Sequence, residues 1–170
     1  LLTEQSLKMS KHQLNKQDKY HQGVYKIQFP DKYIGNPNEI LYRSSWEFKF
    51  MIYCDLNPGV IKWGSEVFKI PYNDFMGHNH VYIPDFYLET RNLQNPLYMN
   101  RFLVEVKPEK QIREPVIPMT ISEKKLKGLE YDINEWRKNK YKWAYAQEWC
   151  KNRDIQFWLI TETHLSEFRP

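Results

Sequence analysis

Pro84-Asp85 and Glu105-Val106-Lys107 are the residues whose types and spacing could do chemistry together. They lie in two runs rich in β-branched and aromatic residues, Val81 to Glu89 and Arg101 to Lys107, which read as neighbouring strands. Side chains alternate along a strand, so Glu105 and Lys107 leave one face while Val104 and Val106 leave the other. One face is then core and the other is a site. Two carboxylates on neighbouring strand ends suit a hard divalent cation such as Mg²⁺, which takes oxygen ligands and commonly uses one or two carboxylates with waters and substrate phosphate. Lys107 beside them could orient or deprotonate an attacking water, or stabilise charge on a phosphate, while the metal acts as a Lewis acid. The reaction that uses this set is metal-assisted phosphodiester hydrolysis. The same letters also describe a solvent-facing cross-strand ion-pair ladder, worth under ~1 kcal/mol. Two neighbours favour the site: Pro84 breaks its strand beside Asp85, and the apolar Phe102-Leu103-Val104 leads into Glu105 as an interior strand would.

Holding these residues in place requires a sheet and helices to cover it. Ser45 to Leu56 predicts a helix stopped by Asn57-Pro58-Gly59, because Pro58 cannot continue the hydrogen-bond ladder and Gly59 suits a reversal. Trp46, Phe48, Phe50, Met51, Ile52, Tyr53, Cys54 and Leu56 surround it nearly completely, the pattern of a buried helix. Val60 to Trp63 and Val67 to Tyr72 join the two strands above as a meander, with a turn through Asn73-Asp74 and Gly77-His78-Asn79. After Lys107, Pro108, Pro115 and Pro118 among many charges predict a mobile flap. A second helix is expected from Ile133 to Asn152, with Trp136, Trp143, Ala146 and Cys150 on one stripe, and a last strand from Ile155 to Thr161. Helix, strands, helix and strand imply an α/β fold around a central sheet. Residues 1–22 carry Lys8, Lys11, Lys16 and Lys19 against Glu4 and Asp18, which predicts a flexible basic arm before one domain over residues 23–170.

Composition narrows the function classes. A chain of 170 residues fits one domain, and 41% hydrophobic with 16% aromatic residues is enough to bury a core. Apolar runs such as Met51 to Cys54 and Phe157 to Ile160 fall far short of the ~20 residues that span a bilayer. A formal charge of +4 and a pI near 8.9 tilt the chain towards polyanionic partners. Cys54 and Cys150 have no CxxC spacing, so neither a disulfide framework nor a zinc knuckle is expected, and a reducing cytosol is the simplest compartment. Neither a metalloprotease HExxH, a Ser nucleophile elbow nor a Gly-rich phosphate loop occurs. His78-Asn79-His80 follow Gly77 consecutively and read as a polar turn.

Taken in order, Pro84-Asp85, Glu105-x-Lys107 a strand later and Glu47 on the preceding helix resemble the PD-(D/E)XK nuclease superfamily. Four segments, Tyr42-Arg43-Ser44-Ser45-Trp46-Glu47, Ile83-Pro84-Asp85-Phe86, Val104-Glu105-Val106-Lys107-Pro108 and Lys142-Trp143-Ala144 leading to Ile160-Thr161-Glu162, are similar to the head completion nucleases of T4-like tailed phages. The same order of motifs is similar to the endonuclease subunit of Tn7-type transposition. The resemblance spans Tyr25 to Thr163 and implies a restriction-endonuclease-like fold, a central mixed sheet flanked by helices with an αβββαβ core. It implies a Mg²⁺-dependent DNA endonuclease, with Mn²⁺ as a substitute, acting on DNA ends or branched junctions when a phage head is completed after packaging. DNA and capsid, portal or neck proteins would be partners, in the host cytoplasm during assembly and in the virion head. The alternatives are the DNA-cleaving subunit of a transposase, or a head or neck protein that keeps the fold and only binds DNA.

Residue by residue, the resemblance makes Asp85 and Glu105 metal ligands, the Val106 carbonyl a third, Lys107 the catalytic lysine and Glu47 an acid that binds or orients a metal-bound water. Glu47 has a second reading from its own context, since Ser44-x-x-Glu47 is a capping box. Phe50, Met51 and Cys54 nevertheless place its stem against an apolar flank, where an unpartnered carboxylate would be costly. Arg43, Lys110 and Lys142 could hold flanking DNA phosphates, and each also fits a solvated surface charge. Tyr72, Tyr82, Tyr87 and Trp63 read as core and are given no role.

Overall fold

The computed structural model describes residues 22–95 and 97–167, so residues 1–21 of the expected arm lie outside the described residues. Its strands are β1 Gly23–Val24, β2 Leu41–Tyr42, β3 Val60–Ser65, β4 Ile70–Asn73, β5 Asn79–Tyr82, β6 Phe86–Arg91, β7 Met99–Val106 and β8 Gln156–Ile160. Its α-helices are α1 Ser45–Leu56, α2 Glu109–Ile112, α3 Glu123–Lys151 and α4 Glu162–Glu167. The central sheet has the order β3-β6-β7-β8. β6 lies antiparallel to both β3 and β7, with Phe86 opposite Val104 and Leu88 opposite Phe102. β8 lies parallel to β7, with Glu105 opposite Leu159, and α3 provides the long crossover that a parallel pair requires.

Alternation along these strands builds two cores. Phe86, Leu88, Phe102, Val104 and Val106 pack against Phe50, Met51, Ile52, Cys54 and Leu56 of α1. Tyr87 and Leu103 point the other way, to Trp143, Ala146 and Cys150 of α3. The sheet is therefore covered on both faces, and the expected site face is also core along most of its length. Only its end, beyond Leu103, is left for Glu105 and Lys107.

The elements differ from expectation chiefly in three respects, beyond shifts of a few residues at strand ends. The run Val81 to Glu89 is two strands, because Pro84 lacks an N–H and interrupts the ladder. β5 pairs with β4 as a separate two-stranded hairpin, so β4 and β5 leave the central sheet instead of continuing a meander. The second helix begins at Glu123, ten residues before Ile133. Glu123, Lys125, Leu126, Lys127 and Glu130 there are strong helix formers and exposed, so propensity extends the helix, past Gly128, where no buried stripe marks it. The stretch after Lys107 is partly ordered: Glu162 accepts from the Glu109 amide at 2.9 Å, and the Trp136 indole donates to the Ile112 carbonyl at 3.2 Å. Residues 113–122 remain irregular and largely exposed.

Near the end of α1, Asp55 is wholly buried among the apolar residues of that helix. Its carboxylate accepts the Tyr25 hydroxyl at 2.8 Å and the amides of Gln28 at 2.8 Å and Phe29 at 3.0 Å. Lys32 closes the tie by donating to the main-chain carbonyls of Asp55 and Asn57, each at 2.9 Å. The segment before α1 is thereby fastened to it, and Tyr25 reaches the core beside Trp63 and Phe48. Asp55→Ala strands a buried hydroxyl and two amides, so it should lower unfolding free energy by about 3 kcal/mol in urea titrations.

Candidate active site

The candidate site forms where β6 begins and β7 ends. Pro84 is fully buried, and the chain turns at Asp85 just before the β6 ladder. There the main-chain carbonyl of Asp85 accepts from the Glu66 amide at 3.0 Å. Its side chain crosses to β7, where Oδ2 accepts the Val106 amide at 2.7 Å. Glu105 is 2% exposed, and Lys107 lies two residues on along the same face. Lys107 Nζ sits 3.0 Å from Glu105 Oε1. The Lys107 amide donates to the Ile160 carbonyl at 2.9 Å, so β8 holds the strand in register right up to the lysine. Asp85, Glu105, Val106 and Lys107 are thus brought into one cluster, and Glu105 is buried as no surface ion-pair ladder would have it.

A fifth group belongs to the cluster and was not expected there. Tyr82, at the end of β5, donates its hydroxyl to Glu105 Oε2 at 2.6 Å. Its ring is core, as the sequence predicts, packed with Ile70, Tyr72 and Leu103, and the contact of its hydroxyl is what the sequence does not show. Its position three residues before Asp85 was the only available signal, because the hairpin that carries it is a tertiary feature. Lys142 of α3 stands over the Tyr82 ring, with Nζ 5.8 Å from the ring centroid, which puts this lysine beside the cluster.

Glu47 forms the capping box. Its amide donates to Ser44 Oγ at 3.1 Å, while its carboxylate accepts from the Ser44 hydroxyl and the Arg43 amide, each at 2.9 Å. It is half-buried and still close enough to Asp85 and Lys107 to influence both electrostatically. Arg43 is exposed and paired with Glu66, the residue whose amide bonds Asp85. Lys110 is exposed on α2, a short turn beyond Lys107. Of the expected polar turn, His78 lies in the β4–β5 turn while Asn79 and His80 begin β5, and both histidines contact Asp74.

Electrostatics single out this cluster. Burial, reinforced by the charge of Glu105, pushes the Asp85 carboxyl up to about 8, against the opposing pull of Lys107 and the Val106 amide. Burial alone would lower Lys107, but Glu105 and Asp85 outweigh it and hold the ammonium above its ordinary value. Lys142 is shifted down by burial and then by Lys138. Burial and Glu105 raise the Tyr82 hydroxyl, which therefore stays a donor. At neutral pH the raised Asp85 carboxyl keeps its proton beside the Glu105–Lys107 ion pair, and a cation binding there would have to displace that proton. A hard divalent cation fits that donor set, with Asp85, Glu105 and the Val106 carbonyl as oxygen ligands. Among the described residues no group of three or more His, Cys, Asp and Glu side chains is gathered for a metal, so a main-chain oxygen and solvent would have to complete any shell.

A mixed sheet between helices, with an acid opening one strand and Glu-x-Lys closing the next, is the arrangement of the PD-(D/E)XK nucleases, the restriction-endonuclease-like group. Comparison with known proteins agrees. Residues 57–162 match the family described as TnsA-like endonuclease N terminal. The chain is also 36% identical over 135 residues to the head completion nuclease of Enterobacteria phage T4, covering 79% of this chain and 86% of that protein. No solved structure matches at a significant level. The chain belongs to the TnsA-like endonuclease family within the PD-(D/E)XK nucleases. Among the described residues, no helix is long and apolar enough to cross a membrane.

The raised Asp85 carboxyl has a consequence for stability. An acid whose folded pKa lies above its unfolded value contributes stability at low pH that is lost as pH rises through the folded value, here about 8. In EDTA, Asp85→Asn should therefore raise the urea midpoint at pH 8.5 and change it little near pH 3.5.

Proposed function

We propose that this protein is a Mg²⁺-dependent endodeoxyribonuclease that hydrolyses phosphodiester bonds at DNA ends or branched junctions, during completion of a tailed-phage head after packaging. The observation that carries the reading is the cluster of Asp85 and Glu105 with Lys107 3.0 Å from Glu105 at the end of a covered sheet. The likeness to a head completion nuclease over most of both chains supports the phage setting. It also supports action in the infected cell, with capsid, portal or neck proteins as partners and the virion head as a destination.

Asp85, Glu105 and the Val106 carbonyl would hold the ion, with Glu47 reaching it if its carboxylate leaves the cap. When bound, the ion supplies Lewis acidity towards a phosphate oxygen and makes a nearby water more acidic. Mn²⁺ has similar ligand preferences and should substitute. The chain's own residues do the rest. Lys107, kept as an ammonium by its two carboxylates, places positive charge where the phosphate gains negative charge, a role that suits it better than general base. Tyr82 keeps Glu105 in place from behind through a 2.6 Å bond, so the carboxylate does not have to reorganise when substrate arrives. Arg43 would exchange Glu66 for a flanking phosphate, and Lys142 and Lys110 would hold phosphates on either side.

A cleavage assay on labelled duplex, overhanging and branched DNA tests the reading. Metal-dependent cutting is expected in the wild type and should fall by about 10²-fold or more in Lys107→Ala and in Asp85→Asn. Equal cutting by the wild type and both folded variants would sink it. Calorimetric titration with Mn²⁺ checks the ligand assignment separately: binding is expected in the wild type and should disappear in Glu105→Ala.

A further inference from the structure

The β4–β5 hairpin ends in Phe75-Met76-Gly77, a tip that the catalytic cluster does not use. Phe75 is 63% and Met76 66% exposed, two large apolar side chains presented to solvent at a turn. The turn that carries them is tightly tied. Asp74 Oδ1 accepts the amides of Met76 at 2.8 Å and His78 at 3.0 Å, and the Asp74 amide donates to the His78 carbonyl at 3.0 Å. His80 Nε2 and His78 Nδ1 lie 3.0 and 3.3 Å from Asp74 Oδ2. Gly77 has φ +83, in the left-handed region that glycine adopts without strain. The tip is held in one shape.

The other end of the hairpin is in the cluster, where Tyr82 bonds Glu105. At roughly 3.3 Å per residue along a strand, the tip stands some 10–20 Å from the carboxylates, a few base-pair steps of duplex. Groups suited to nucleic acid line that interval on α3. Tyr141 lies 6.3 Å from the Phe75 ring and is 39% exposed, and Tyr145 lies 6.2 Å from the Tyr72 ring and is 41% exposed. Lys142 over Tyr82 and the exposed Lys138 supply positive charge between them. The 3.5 Å contact of Lys138 with Glu135 is a surface pair that a phosphate can displace. Aromatic faces interleaved with lysines are how proteins hold unstacked bases and their backbone together.

We propose that the β4–β5 hairpin is a wedge for DNA bases, with Phe75 and Met76 inserting at an end or branch point while Tyr141, Tyr145, Lys138 and Lys142 carry the strand to Lys107. This rests on the nuclease reading and gives it a substrate preference. An apolar wedge in a continuous duplex must unstack a base step, whereas at an end or junction the step is already open. The wedge therefore favours ends and branches without reading sequence.

The test compares wild type with the double substitution Phe75→Ser and Met76→Ser. Leu93→Ser, which removes an exposed apolar residue from the loop after β6 at the far end of that strand, is the control. The probe is DNA carrying 2-aminopurine next to an end or branch point, titrated in EDTA, followed by cleavage of branched, overhanging and continuous duplex in Mg²⁺. Wild type and Leu93→Ser should raise 2-aminopurine fluorescence on binding. The double variant should lose that rise, bind branched DNA about tenfold or more weakly, and cut branched and continuous DNA at similar rates. A folded double variant that keeps the rise and the preference overturns the wedge and leaves the tip to a protein partner. Absence of the rise in the wild type overturns it as well. If the wild type shows the rise but cuts nothing, the wedge stands and the nuclease reading fails; if the double variant cuts with unchanged preference, the reverse holds.

Discussion

Two carboxylates held beside one close ammonium at the end of a covered sheet is the constraint around which this structure is arranged. Burying two acids side by side is unfavourable unless their oxygens find partners and one of the acids keeps its proton more tightly. Every element near Asp85 and Glu105 supplies a partner. β7 offers the Val106 amide to Asp85 and Lys107 to Glu105, and the β4–β5 hairpin brings the Tyr82 hydroxyl. Pro84 is part of the same solution, because a strand that continued unbroken from β5 into β6 would bring Asp85 into the ladder and leave Tyr82 in the central sheet. What repulsion between the two acids remains is relieved by the proton that the raised Asp85 carboxyl holds.

The rest of the fold keeps that arrangement rigid. β8 bonds the Lys107 main chain, and the long α3 crosses over to deliver β8 while covering the sheet with Trp143, Ala146 and Cys150. On the other face α1 fills the core and ends at Asp55, which binds the segment from Tyr25 to Phe29. At the start of the same helix Glu47 satisfies the cap while lying within electrostatic reach of Asp85 and Lys107. The cap satisfies both oxygens of this carboxylate beside a cluster already rich in acid. Arg43 behaves similarly, paired with Glu66 at the surface but adjacent to the cluster. Both are held by interactions weak enough to exchange.

The chain by itself determined the chemistry-bearing residues and their local frame. Period-two alternation put Glu105 and Lys107 on one face; Pro58-Gly59 ended α1; Ser44-x-x-Glu47 announced its start. These are short-range rules, set by backbone geometry and by the nearest few residues, so they are legible without a fold. The helix stripe of Trp143, Ala146 and Cys150 was legible for the same reason, while the first turns of α3 were not, because an exposed helix has no apolar period to read.

Long-range contact decided everything else. Nothing in the local sequence explains a buried carboxylate at Asp55, and only the return of residues 25–29 shows why it is stable there. Tyr82 is core, as its letters suggest, and only the hairpin shows that its hydroxyl meets Glu105. Alternation predicts which side a residue takes but not how much of that side a neighbouring element will cover, so the cleft was reduced to a strand end only when α3 packed over Leu103 and Tyr87. Proton affinity was equally out of reach of the letters: Asp85 has an ordinary side chain, and burial beside a second acid, a property of the assembled structure, raises its pKa.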